Sequence, residues 1–362
     1  MVNGGDIICE ADNRCGVITL NRPRALNALT YDMIAEMERS YIAWAGDPHI
    51  YGVVVQSADP RAFCSGGDLK ALYEWKRSGR LDTLLGLYSL EYQHNWSLQR
   101  FVKPNVSLLD GIVMGGGVGI CIYGTHKVAG PRLRFAMPEV GIGFFPDCGA
   151  TWFLSRLPGE IGMYMALTGR VLGPADALAL GLVTHCVSPE RFTEIRTAMS
   201  EAEPVDTVLD AMHEPPGEGE LASLGPVIDR IFSAGSVEEI LVRLDAETGK
   251  RSQWARGIAA EMRAKSPTGL KVAFRQMRLG RGLSLDRALV LENRLAYRFI
   301  LGHDFFEGIR AAVIDKDKTP RWSPASLEAV SNDMIEALFE PLESGELALV
   351  DPFPEAAKGL VT

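Results

Sequence analysis

The sequence predicts an α/β fold, and three observations carry the prediction. From about residue 7 to residue 187, short apolar strand-like runs alternate with helical stretches, as two short strands and then a helix, repeated without an exact sequence repeat. Beyond about residue 236 the apolar spacing is helical throughout. The 362 residues are 47% hydrophobic and 23% charged, which suits a globular chain of one large or two domains.

The elements follow in order. Residues 7–9 and 17–20 read as strands around a polar turn at 11–14. Thr30 caps a helix with Met33, Ile34, Met37, Tyr41 and Trp44 on one face, ended by Gly46. Residues 53–55 form a short buried strand. A glycine-bearing loop at 61–70 leads into a helix over 69–77, and a second helix lies within 81–101. Residues 78–90 are expected to be mobile, because Gly79 and Gly86 lower helix propensity. Residues 106–109 are a strand, and 110–119 a loop opening a helix. Short strands at 127–129 and 133–136 precede helices at 150–157, 161–168 and 174–180 and a strand at 182–187.

Residues 201–226, rich in Glu, Pro and Gly, read as a surface connection. Helices follow at 236–245, 250–265, 268–278 and 284–301. A tail helix is expected at 326–338, and 351–362 should be loosely held. The expected organisation is a core over 1–200, a connecting insertion over 201–235, a helical region over 236–322 and a tail over 323–362.

Bulk features narrow the function. A net charge of −9 argues against nucleic acid as the main partner. No run of about 18 apolar residues predicts a membrane span, and the first residues lack the pattern of a secretion signal. The six cysteines form no Cys-x-x-Cys pair and have no histidine at metal-finger spacing. They read as reduced thiols of a cytoplasmic protein with no metal. Gly-x-Ser-x-Gly, a P-loop and a dinucleotide fingerprint are all missing.

The chemistry-bearing residues lie in three loops. Glu139 and Asp147 stand eight positions apart in an apolar, glycine-broken run with no cation beside them. Such acids are exposed, paired from elsewhere in the chain, or held in a pocket that raises their pKa. The loops around Gly66-Gly67 and Gly115-Gly-Gly117 each follow a strand and precede a helix. One free amide from each would hold the oxyanion of a tetrahedral or enolate intermediate.

With these loops in place, the sequence resembles the enoyl-CoA hydratase/isomerase (crotonase) superfamily, and within it the 3-hydroxyisobutyryl-CoA hydrolase branch. The resemblance rests on Asn21-Arg-Pro-Arg-Ala-Leu-Asn-Ala28, Ala62-Phe-Cys-Ser-Gly-Gly-Asp68, Asp110-Gly-Ile-Val-Met-Gly-Gly-Gly-Val-Gly119 and Phe135-Ala-Met-Pro-Glu-Val-Gly-Ile-Gly-Phe-Phe-Pro-Asp147. His303-Asp-Phe-Phe-Glu-Gly-Ile-Arg310 and Ile314-Asp-Lys-Asp-Lys-Thr-Pro-Arg-Trp322 extend it to the C-terminal part.

The resemblance implies a crotonase-type spiral of repeated ββα units with a helical C-terminal region. It implies an acyl-CoA substrate whose thioester carbonyl meets the Gly67 and Gly116 amides. It places CoA against Ala25, Leu26, Ser65 and Leu69, and the acyl group near Glu91, Glu139 and Asp147. CoA would be part of the substrate, with no further cofactor. His303 and Phe305 read either as near CoA or as core, and Arg22, Arg24 and Lys70 are the nearby cations.

Hydratases of this superfamily use two glutamates that share a water. The first falls at Gly119 here, which cannot act as acid or base. Thioester hydrolysis is therefore the leading expectation, with Glu139 as nucleophile or general base and Asp147 orienting the 3-hydroxyl. An enoyl-CoA isomerase, an atypical hydratase and a non-catalytic CoA-binding protein stay open, as does a homo-oligomer.

Overall fold

The computed structural model describes residues 5–353. A hairpin of β1 (Ile7–Asp12) and β2 (Cys15–Leu20) leads to α1 (Tyr31–Gly46). Three strand–strand–helix turns follow. The first is β3 (Gly52–Ser57), β4 (Ala62–Cys64), α2 (Leu69–Arg77) and α3 (Leu81–Arg100). The second is β5 (Asn105–Leu109), β6 (Ile112–Met114) and α4 (Gly116–Gly119). The third is β7 (His126–Ala129), β8 (Arg134–Ala136) and, after a long loop, α5 (Ala150–Phe153). The strand β9 (His185–Cys186) closes the series.

Each turn sends one strand to each of two sheets. The larger sheet runs β1-β2-β3-β5-β7-β9, and the smaller runs β4-β6-β8. Only β1 and β2 pair antiparallel; the other pairs are parallel. A parallel neighbour requires the chain to cross back, and the second strand and helix of each turn provide the crossover. The consequence is that β4, β6 and β8 all end on the same edge of the small sheet.

Local sequence explains the elements well where burial is one-sided. Thr30 Oγ1 accepts from the Met33 amide at 3.2 Å, and the five apolar residues assigned to one face of α1 are all buried. Asp68 caps α2 by accepting from the Ala71 amide at 3.1 Å. The helix expected within 81–101 is α3, whose first half forms because burial of Leu84, Leu87 and Tyr88 outweighs the propensity cost of Gly86. Three readings need correction. Residues 112–114 are a strand, which hid in a glycine-rich context because a central parallel strand lacks polar alternation. The stretch 201–226 carries the helix Val205–Met212 and the start of Leu221–Phe232, whose buried Leu224, Ile228 and Ile231 face overrides Pro226. Only His185 and Cys186 of the strand expected at 182–187 pair as β structure.

The C-terminal helices Pro267–Gly280 and Leu285–Leu301 pack onto the same apolar core as the first half; one buried cluster runs from Ile18 to Phe353. The tail helix is shorter than expected, Asn332–Phe339. Residues 351–353 are held rather than loose. Arg100 pairs with Asp351 at 3.0 Å, and Phe353 meets the Phe101 ring edge-on. Residues 354–362 of that expectation lie outside the described residues. All six cysteines are unpaired.

One buried side chain fastens the segment before α1 to the small sheet. Asn27 is fully buried in the left-handed region, φ +56°. Its amide nitrogen donates to Ser57 Oγ, Ala62 O and Phe63 O at 2.7, 3.2 and 2.9 Å. Its carbonyl oxygen accepts from the Arg22 amide at 2.8 Å. Asn27→Ala would strand these groups, so we expect a loss of about 2–4 kcal/mol, read as an earlier denaturation midpoint. An unchanged midpoint would remove Asn27 from this role.

Candidate active site

The three loops leaving β4, β6 and β8 converge on one cavity of about 340 Å³. Ligands of parallel sheets commonly sit beyond the carboxyl ends of the strands, for the same topological reason. The first loop brings Ser65 and Gly67, and α2 adds Leu69. The second brings Gly115 and Gly116, and the third Glu139. From the other side α3 contributes Glu91, and the run into α5 contributes Asp147.

Two backbone amides are free at this cavity. The Leu29 amide donates to Gly66 O at 2.8 Å and the Asp68 amide to Leu29 O at 2.9 Å, which fixes the first loop while leaving the Gly67 N–H outside the ladder. Gly116 opens α4, so its N–H has no acceptor within that helix. Among the described residues neither amide has a protein acceptor. A Cβ placed on Gly67 would meet no atom within 4 Å, so that backbone borders open space. A Cβ on Gly116 would fall 2.3 Å from Glu91 Oε1, and one on Gly115 would fall 2.9 Å from Glu139 Oε1. The Gly115–Gly116 backbone thus lies close to two carboxylates, and only glycine permits that approach.

Four acids are buried here: Glu91, Glu139, Asp147 and Glu292. None has a cation among the groups that dominate its environment. Glu139, at the start of a 3₁₀ turn after β8, keeps one carboxylate oxygen without a hydrogen-bond partner. Burial first, and the charge of Asp147 second, push it well above the ordinary carboxyl range. Asp147 accepts from the Tyr92 hydroxyl at 2.8 Å, which favours its anion, yet burial still lifts it to about 6. Burial and Asp147 raise Glu91 as well. Its Oε1 accepts from the Cys148 thiol at 3.5 Å. Glu91, Asp147 and Cys148 bring ligand atoms within 4.8 Å of one another. Burial raises the Cys148 thiol well above its ordinary range, which suits its part as hydrogen-bond donor to Glu91.

Of the sequence-derived candidates, Ser65, Gly67, Leu69, Glu91, Gly116, Glu139 and Asp147 share the cavity. Ala25 and Leu26 do not line it. They lie behind Ser65, whose amide donates to Leu26 O at 3.1 Å and whose hydroxyl donates to Ala25 O at 3.4 Å. Arg22 is taken by Asp68 at 2.7 Å and Asp6 at 3.1 Å, while Arg24 and Lys70 are exposed. Phe305 is buried and lines the cavity beside Phe144, at 4.4 Å between ring centres; His303 does not line it.

Three participants escaped the sequence reading. Tyr92 and Asn95 share a face of α3 with Tyr88 and Glu91, a helical spacing that Glu91 alone already hinted at. Glu292 sits in the apolar stripe Ala288, Leu289, Leu295, Ala296, Phe299 of the helix Leu285–Leu301. A carboxylate in such a stripe is the signal that would have found it.

The position corresponding to a second glutamate is closed. A Cβ on Gly119 would fall 2.9 Å from Cys148 Cβ and 3.0 Å from Asn95 Nδ2.

A spiral of parallel strand pairs with two free amides and buried carboxylates around one cavity defines the class. The chain belongs to the enoyl-CoA hydratase/isomerase family, whose description it matches over residues 15–339. It is 38% identical over 359 residues to the mitochondrial 3-hydroxyisobutyryl-CoA hydrolase of Danio rerio, covering 96% of this chain and 92% of that protein. It is 37% identical over 354 residues to 3-hydroxyisobutyryl-CoA hydrolase 1 of Arabidopsis thaliana, covering 95% and 93%. The crystal structure of a carnitinyl-CoA dehydratase from Mycobacterium thermoresistibile superposes with a TM-score of 0.90 at 35% identity, over 96% of this chain and 99% of that one. An enoyl-CoA hydratase from Rhodobacter sphaeroides 2.4.1 gives 0.88 at 37%, over 95% and 100%. The vertebrate relatives are mitochondrial by name, so they lend no support to a cytoplasmic location. No helix among the described residues is long and apolar enough to cross a membrane.

Two predictions follow from this geometry. A carboxyl pKa raised by folding contributes stability below its unfolded value, and that contribution is lost as pH rises through the folded value. For Asp147 the window runs from about 4 to about 6, and Glu139 extends it upward. Glu139→Gln should therefore raise the melting temperature at pH 8 and much less at pH 5. Equal shifts at both would show that its charge carries no folding cost. Gly119→Glu should lower stability and bring no hydration of crotonyl-CoA, since the new side chain must displace Cys148 and Asn95. Crotonyl-CoA hydration by that variant would overturn the assignment of this space.

Proposed function

We propose that this protein hydrolyses a short 3-hydroxyacyl-CoA thioester, with 3-hydroxyisobutyryl-CoA as the substrate and 3-hydroxyisobutyrate and CoA as products. The observation that carries this reading is that Glu139 shares one cavity with the free Gly67 and Gly116 amides while the space of a second glutamate is filled by Cys148 and Asn95. The names of the relatives give it independent support, and in this reading the reaction belongs to valine breakdown. CoA enters as part of the substrate, held on the side of Ser65 and Leu69, with Ala25 and Leu26 behind. The reaction draws on no further cofactor and no metal.

In this reading the thioester oxygen sits between the two amides. Charge develops on it as the carbonyl carbon becomes tetrahedral, and a preorganised donor is worth about 3 kcal/mol there. Glu139 supplies the other half. Its carboxylate either attacks the carbonyl carbon, expelling CoA thiolate and leaving a mixed anhydride that water opens, or takes a proton from the attacking water. Both routes need its anion, and its desolvation makes that anion more basic and more nucleophilic than an exposed carboxylate. Asp147, fixed by Tyr92, accepts from the substrate 3-hydroxyl, and Glu91 lies beside the acyl group.

Glu91 supports a second reading. It is a further carboxylate close to Gly116, and with Glu139 it would serve an enoyl-CoA isomerase or an atypical hydratase. Thiol release from 3-hydroxyisobutyryl-CoA, set against loss of enoyl absorbance from crotonyl-CoA, separates the two. We expect thiol release from the first and no change with the second; the reverse result would reject hydrolysis. Glu139→Gln should lower turnover by about 10³-fold while acyl-CoA still binds. Acyl-CoA binding with no turnover of any acyl group by the unaltered protein would instead favour a non-catalytic CoA-binding protein.

A further inference from the structure

The loop that carries Asp147 has one turn bond of its own, from the Ala150 amide to Asp147 O at 3.0 Å, and takes further support from other elements. Cys148 and Gly149 are both left-handed, at φ +55° and +83°. Cys148 bears a Cβ, so this conformation is costly for it and must be imposed from outside. The ties come from other elements. Tyr123 donates its hydroxyl to Cys148 O at 2.7 Å. Gln276, on the helix Pro267–Gly280, donates to Pro146 O at 3.1 Å and to Thr151 Oγ1 at 2.8 Å.

The remaining tie is a carboxylate with no counter-ion. Glu292 is fully buried. Its Oε2 accepts from the Gly149 amide at 2.6 Å and its Oε1 from the Thr151 amide at 2.9 Å. Both oxygens are used, one for each N–H, at the entry to α5. A glutamine of the same length would set its own NH₂ group against one of those donors. Only a carboxylate satisfies both amides, and it does so two and four residues beyond Asp147.

We propose that Glu292 is the positioning residue for Asp147: its carboxylate clamps the Gly149 and Thr151 amides and so fixes where the Asp147 carboxylate meets the substrate 3-hydroxyl. This inference rests on the hydrolase reading. The two amide donors favour the Glu292 anion, while burial lifts its carboxyl to about 8, so the charge it adds grows in above neutral pH and there acts on Glu139 in the direction that holds its proton. Losing the charge should make the reacting carboxylates easier to ionise.

The test compares Glu292→Gln with the unaltered protein on 3-hydroxyisobutyryl-CoA and isobutyryl-CoA, by thiol release across pH and by calorimetric binding. We expect kcat/KM for the hydroxylated substrate to fall at least tenfold, a clearly smaller loss on isobutyryl-CoA, and an acidic limb displaced to lower pH. Equal losses on the two substrates, or an unmoved limb, overturn the proposal, because a merely structural glutamate would weaken both alike. If Glu292→Gln does not fold, Glu292→Asp decides: it keeps the charge and retracts from the amides, so hydroxyl selectivity should drop while the limb stays. Retained selectivity, or failure of both variants to fold, overturns the proposal. Absence of thiol release by the unaltered protein rejects the hydrolase reading instead. Glu292 is then judged on binding alone: selective weakening of the hydroxylated ligand in the variant supports the clamp, and equal binding rejects it.

Discussion

Four carboxylates without an ion-pairing partner share one desolvated region, and the rest of the structure is arranged to hold them there. Glu91, Glu139, Asp147 and Glu292 arrive from α3, the β8 exit, the run into α5 and a C-terminal helix. Left to themselves they would neutralise or move apart, since burying a charge costs far more than a typical hydrogen bond returns. They stay because each is fixed by a different element of a well-packed core. Tyr92 holds Asp147, two amides hold Glu292, and the Cys148 thiol holds Glu91. Glu139 has a fully buried carboxylate oxygen without a hydrogen-bond partner, which is why the proposed reaction uses it as the reacting group.

The small sheet converts this cost into geometry. Because β4, β6 and β8 are parallel and adjacent, their exits cannot diverge. The first two exits deliver glycine amides and the third delivers the carboxylate. The order is set by the repeat, so the spacing between donor and acid is inherited from strand separation rather than from flexible loops. Cavity walls from Tyr88, Phe144 and Phe305 keep the space apolar, which strengthens whatever electrostatic stabilisation the amides provide.

Much of this was readable in the chain, and for identifiable reasons. Loops are legible when their chemistry needs unusual residues: the glycines at 66–67 and 115–117 and the isolated acids at 139 and 147 stand out against any local background. The amphipathic α1 was legible because one face is wet. What escaped was two-sided burial and long-range contact. The strand β6 has no alternation to reveal it, and the helix Leu221–Phe232 hid behind Pro226. Ala25 and Leu26 hold the Ser65 amide and hydroxyl and do not line the cavity itself, a placement that depends on contacts across 40 positions of sequence. Glu292 lies 145 positions from Asp147, and no local pattern connects them.

The C-terminal helices therefore belong to the active site as much as the repeats do. The repeats alone bring Gly67, Gly116 and Glu139 to one cavity, and in the proposed reaction these grip and attack the carbonyl. They do not fix the loop beyond Pro146, whose left-handed residues need Gln276 and Glu292 from outside. A chain with the same repeats and different C-terminal helices would keep the oxyanion site and lose control of Asp147. In the proposed reaction, recognition of the thioester and recognition of the hydroxyl group thus rest on separate parts of the fold, so the second can change without disturbing the first.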